Sequence, residues 1–210
     1  MEFRKLMESR RSVNYFDPAQ PVSEKEIRAM VEFASLVPSS FNLQPWNLIV
    51  VRSAADRARL RKQAMDQPKV TEAPVVLIVL ADKEGYKEDN PAVVRVWQSW
   101  EKNGYMKPEQ KGWFFDAGRK LYGGSELLST AFAAKNAAFF GLALMQAAKD
   151  MGLDSHPMDG FDQEGVIKEF SIPRKFFVPM LICVGHFDRS KKLLPRNWRK
   201  PYEEIVLSTL

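Results

Sequence analysis

A chain of 210 residues suffices for one sizeable core, and a composition of 45% hydrophobic and 27% charged residues argues against a disordered, collagenous or membrane-embedded protein. A single cysteine, Cys183, and only two histidines, His156 and His186, argue against a disulfide framework and a cysteine/histidine zinc cage. The 31 basic residues against 26 acidic ones leave a net charge of +5, which admits nucleic acid, an anionic membrane surface or a phosphorylated small molecule as partner without choosing among them.

The N-terminal residues carry no apolar signal region, and the longest apolar run, Pro74 to Ala81, falls far short of the roughly 20 residues of a membrane span, so a cytoplasmic location is expected. Residues 2 to 9 put Phe3, Leu6 and Met7 on one side of a short helix, and residues 10 to 18 read as an extended or turning segment. Ser23 and Glu26 have the spacing of a capping box, and Ile27, Met30, Val31 and Ala34 continue at helical period. Residues 38 to 45 form a proline-bounded polar loop, and residues 46 to 51 follow as a strand. Ser53 with Asp56 caps a basic helix through Arg57, Arg59, Arg61 and Lys62. The unbroken apolar run at 74 to 81 predicts a strand in a sheet covered on both faces.

Residues 82 to 124 change texture, with Trp97, Trp100, Tyr105, Trp113, Phe114, Phe115 and Tyr122 set among charges and glycines, and are the candidate excursion or lid. Residues 125 to 152 predict a long helix dense in alanine, apolar on most sides and therefore buried, with small residues that admit close approach of another helix, from this chain or a second subunit. Residues 156 to 162 read as a turn, followed by a short helix to Phe170, an apolar strand over 176 to 184, and a basic, then apolar tail. Strands and helices do not alternate regularly, which disfavours a doubly wound sheet and favours one α+β layered domain over 1 to 210.

No Gly-x-Ser-x-Gly elbow is present, and Gly123-Gly124-Ser125 lacks the lysine of a phosphate loop, so it reads as a helix cap. Arg10-Arg11-Ser12 supplies two guanidinium forks and a hydroxyl, a set suited to a phosphate. The loop around Ser39, Ser40, Asn42 and Gln44 offers uncharged hydroxyls and amides that match a ring edge rich in carbonyls and nitrogens.

Taken in order, Arg10-Arg11-Ser12-x-Asn14-x-Phe16-Asp17, Pro38-Ser39-Ser40-x-Asn42-x-Gln44-Pro45-Trp46, Met158-Asp159-Gly160-Phe161-Asp162 and Val184-Gly185-His186 resemble the nitroreductase family of FMN-dependent oxidoreductases, nearly from end to end. The resemblance implies a mostly antiparallel sheet flanked by helices, and a homodimer with two FMN sites, each built from both chains. It implies that Arg10, Arg11 and Ser12, joined by Arg199, hold the phosphate and ribityl chain, and that Asn14 faces the pyrimidine side. Pro38, Ser39, Ser40 and Asn42 approach from the other subunit, Asp159 and Gly160 lie near the reactive edge, and Gln67 and Lys69 add further contacts. The family usually has a cation where Asn14 stands.

The implied reaction takes electrons from NAD(P)H to a small electrophile such as a quinone or nitroaromatic, on the flavin and with no catalytic side chain of its own. Reductive dehalogenation or flavin breakdown on the same fold is the alternative. A non-enzyme alternative is nucleic-acid binding through 57 to 62 and 189 to 200, although no recognition motif accompanies those charges.

Overall fold

The computed structural model describes residues 2–209. In chain order the elements are α1 (Phe3–Ser9), α2 (Glu24–Ala34), β1 (Trp46–Val51), α3 (Ala54–Gln63), α4 (Lys69–Glu72), β2 (Val75–Asp82), α5 (Pro91–Lys102), α6 (Lys111–Tyr122), α7 (Glu126–Asp150), β3 (Asp154–Met158), α8 (Gln163–Glu169), β4 (Phe176–Gly185) and α9 (Tyr202–Ile205). Among the described residues one four-stranded sheet forms, in the order β1-β2-β4-β3, with every neighbouring pair antiparallel.

Alternation along β2 builds two cores, because successive side chains leave opposite faces of a strand. Val75, Leu77, Val79 and Ala81 point into one core with α2, α5, α6 and α7, whereas Val76, Ile78 and Leu80 point into the other with α3, α4 and α8. All eight residues of β2 are buried, Val75 to Ala81 as an apolar run without alternation predicts, and with them Asp82 at the strand's end. Each large aliphatic side chain so buried contributes roughly 1.5–3 kcal/mol.

Local signals produce the predicted caps. Ser23 Oγ accepts from Glu26 N at 3.2 Å while Glu26 Oε2 accepts from Ser23 N at 2.7 Å, closing the capping box of α2. Ser53 and Ser125 cap α3 and α7 by accepting from Asp56 N and Leu128 N, which absorbs the Gly123-Gly124-Ser125 motif. The arginines of α3 serve the fold. Arg59 bridges Asp56 and Glu169, Arg61 pairs with Asp66, and Arg57 donates to the carbonyls of Thr71 and Ala73, tying α3 to α4 and α8.

α1 forms where the spacing predicts it, with Leu6 buried and Phe3 and Met7 exposed. One predicted turn is corrected. Residues 156–158 belong to β3 rather than to a turn. The small residues of α7 admit the close approach of another helix, α2, as expected, and at Gly141 the sheet comes close as well, since a Cβ there would sit 2.8 Å from Met180 Sδ of β4. By length and a mean hydropathy of 1.4, α7 resembles a membrane span, yet its inner face packs on β2 and β4 as a core helix. A second stripe of α7, Leu128, Ala131, Lys135, Ala138, Phe139 and Leu142, is exposed at helical spacing and is apolar apart from Lys135.

Residues 82–124 fold as α5 and α6, whose aromatic side chains join the core shared with α2 and α7. Trp97 and Phe114 are buried there with ring centroids 5.6 Å apart, so neither is free to stack on a substrate, whereas Trp113 is exposed.

Candidate functional site

Four guanidinium groups converge where the N-terminal segment meets the tail. Arg11 Nη2 donates to Leu194 O at 2.8 Å, and Arg196 Nη2 donates to Glu8 O at 2.7 Å and to Arg10 O at 3.2 Å, so the tail lies clamped across residues 8–12. Burial, and after it the positive charges of Arg196, Arg199 and Arg11, hold the Arg10 guanidinium below its ordinary pKa. Among the described residues none of the four pairs with a carboxylate. Clustered like charges without a counter-ion repel one another, and a multiply charged anion seated among them relieves that repulsion.

Beyond the cluster, Ser12 bridges Ser155 on the outer side of β3, and Val13 N donates to Ser155 O at 3.2 Å. A cavity of about 370 Å3 opens there, lined by Arg11, Ser12, Asn14 and tail residues. Two further predicted segments reach the same edge. Gln67 Nε2 donates to Gly160 O at 2.9 Å, and Gly160 permits this approach because a Cβ would lie only 3.1 Å from that nitrogen. Lys69 Nζ stands 3.4 Å from Gln67 Oε1 and 3.4 Å from His156 Nε2, and His156 Nδ1 lies 2.8 Å from Val13 O. Asp159 is exposed beside Gly160.

The second predicted set lies elsewhere. Pro38, Ser39, Ser40 and Asn42 precede β1, at the opposite edge of the sheet and at the opposite end of its strands. Trp46 is level with Ala81 and Phe177, whereas Ser155 is level with Val184. Three strand spacings and seven residues along β4 separate the two corners by roughly 25 Å.

This loop carries strain. Phe41, Asn42 and Gln44 have φ of 52°, 55° and 49°, a left-handed backbone that side chains with a Cβ rarely adopt. Two anchors hold it. Ser40 N donates to Asn136 Oδ1 at 2.9 Å while Asn136 Nδ2 donates to Phe132 O at 2.7 Å, and the Phe41 ring sits among Trp100, Trp113, Phe114 and Tyr122. A cavity of about 410 Å3 lies between Asn42, Gln44 and Trp46 on one wall and Ala92, Arg95, Val96 and Ser99 of α5 on the other.

The structure thus gathers Arg10, Arg11, Ser12, Asn14, Gln67, Lys69, Asp159, Gly160 and Arg199 at one corner and leaves Pro38, Ser39, Ser40 and Asn42 at the other. Sequence reasoning missed Asn136 and His156. An amide at the helical period of the buried face of α7, four residues before Phe140, was a usable signal for the first. Nothing local marks the second. Among the described residues no cluster of metal-ligating side chains occurs.

The family model described as the nitroreductase family matches residues 7–186. MhqN of Bacillus subtilis, provisionally named an NAD(P)H nitroreductase, is 30% identical over 206 residues, covering 98% of each chain. The solved structure of ydfN from Bacillus subtilis, provisionally described as a nitroreductase, superposes with a TM-score of 0.89 at 29% identity, over 98% of this chain and 97% of that one. A protein of Exiguobacterium sibiricum solved in complex with FMN shares the fold at a TM-score of 0.84 and 22% identity, over 98% of this chain and 96% of its own.

Proposed function

The chain belongs to the nitroreductase family, and from that premise we propose that it is an FMN-dependent oxidoreductase carrying reducing equivalents from NAD(P)H to a small electrophile, a quinone or a nitroaromatic. The observation that carries this reading is the cluster of Arg10, Arg11, Arg196 and Arg199 without a carboxylate, a donor set that fits the FMN phosphate. When bound, FMN supplies the two-electron chemistry, which is why the chain needs no nucleophile or acid-base dyad.

In this reading Arg10, Arg11 and Arg199 hold the phosphate and Ser12 the ribityl chain. Asn14, Gln67 and Lys69 meet the pyrimidine side, and Asp159 and Gly160 border the reactive edge. Pro38, Ser39, Ser40 and Asn42 come from a second copy of the chain. Two features support that homodimer: the two sets lie farther apart in one chain than one mononucleotide reaches, and the outer stripe of α7 leaves Leu128, Phe139 and Leu142 exposed around Lys135. NAD(P)H and the acceptor then use one open face in turn, with the cavity beside Asn42 and α5 as entrance. A cytoplasmic location belongs to the same proposal.

Heat-released ligand from the purified protein should have the spectrum and mass of FMN. Colourless protein that takes up no added FMN would end the proposal. Sedimentation should give about 48 kDa, twice the 24.1 kDa chain, as two-fold closure requires. A monomer that retains FMN would contradict the shared site. Parallel double-reciprocal lines with NAD(P)H and a quinone distinguish this activity from flavin breakdown, in which FMN itself is consumed.

A further inference from the structure

We propose that His156 is a positioning residue for Lys69: its Nε2 lone pair holds the lysine ammonium at the pyrimidine side of the site, supplying there the cation that Asn14 does not. The inference rests on the FMN reading above and adds to it a residue that the family motifs do not include.

Chemistry fixes the direction of every bond in the chain of contacts. A carbonyl only accepts, so at 2.8 Å from Val13 O the His156 Nδ1 carries the ring proton, and Nε2 of the neutral imidazole keeps a lone pair. An ammonium only donates, so Lys69 Nζ, 3.4 Å away, donates to that lone pair. Its other anchor is oriented by the same logic. Gln67 gives its Nε2 to Gly160 O at 2.9 Å, which turns Oε1 towards Lys69 at 3.4 Å. The circuit Val13, His156, Lys69, Gln67 and Gly160 joins three segments of the proposed site, and Lys69 is its one charge.

The surroundings keep the imidazole neutral. Burial, then the charge of Lys69, holds His156 below the ordinary histidine pKa, against the hydrogen bond to Val13. On β4 its register partner is Cys183, whose thiol is pushed up to about 12 by burial and stays uncharged, with Lys69 and Glu72 of α4 as the charges that bear on it. On β3 itself Asp154 is taken by Lys149 of α7 at 2.8 Å. Protonation of His156 removes the lone pair and sets two cations face to face, so the grip on Lys69 is lost as the pH falls below the ordinary histidine range.

The test has two arms. With 15N-labelled histidine and His186→Gln to assign the two rings, His156 should appear as the Nδ1–H tautomer at pH 7.5, and Lys69→Met should raise its titration midpoint by roughly half a pH unit or more. The Nε2–H tautomer, or an unmoved midpoint, would overturn the contact. In the second arm FMN affinity is read by fluorescence quenching between pH 5.5 and 8. His156→Ala should weaken binding about 10-fold at pH 7.5, the size of one charge-assisted hydrogen bond. His156→Gln, whose Oε1 can still accept, should recover most of it and lose the wild-type weakening below pH 6. Equal affinity in wild type and His156→Ala overturns the positioning role alone, whereas a wild-type chain that binds no FMN at any pH overturns the functional reading itself.

Discussion

Arg10→Ala should weaken FMN binding by about 10- to 100-fold, the loss of one charge-assisted phosphate contact of roughly 1.5–3 kcal/mol. Arg10 is the member of the cluster on which the other three charges converge, so it makes the sharpest probe. Its removal also relieves repulsion when no anion is present. The variant without flavin should therefore melt no lower than wild type at low salt, and inorganic phosphate should stabilise wild type more than the variant. Titration of each protein with FMN, and thermal unfolding with and without phosphate, read both effects. Unchanged FMN affinity would remove Arg10 from the phosphate site.

Phe140→Ala should cost about 3–5 kcal/mol of folding stability, the usual range for emptying a buried aromatic position. The ring is 2% exposed and lies parallel to Trp46, with centroids 5.1 Å apart and planes 2° apart. It joins α7 to the first residue of β1, one turn beyond Asn136, so the cavity opens beside the loop at 38–45. For a chain of this size such a loss lowers the melting temperature by roughly 10 °C. Phe140→Leu keeps most of the volume and should lose only about a third as much. A melting temperature within 2 °C of wild type for Phe140→Ala would show that the stack does not carry the joint.

What was legible in the chain was what is local or periodic. The capping serines act over three residues, and β2 announces itself because every side chain from Val75 to Ala81 is apolar. β3 escaped because His156-Pro157 looks like a turn. An edge strand accepts proline where a central one would lose a ladder hydrogen bond, and Pro157 sits on the edge, opposite Ile182. Trp97 and Trp113 likewise look the same in sequence, and only the packing of α5 on α6 buries one and exposes the other. The motif residues of the site were legible as types, but their division between two corners follows from the strand order. The contact of His156 with Val13 spans 143 positions, and no short-range pattern encodes it.

The left-handed turn at Phe41, Asn42 and Gln44 bears on how this chain can evolve. Each such residue with a Cβ costs about 1 kcal/mol that glycine would not, Gln44 more than Asn42, because a short amide side chain tolerates that region better. Selection for durability alone would carry these positions to glycine, and the amides that line the cavity against α5 would go with the strain. Heat resistance and the amide lining of this cavity are therefore opposed at these positions, and a lineage can move one way only by giving ground in the other.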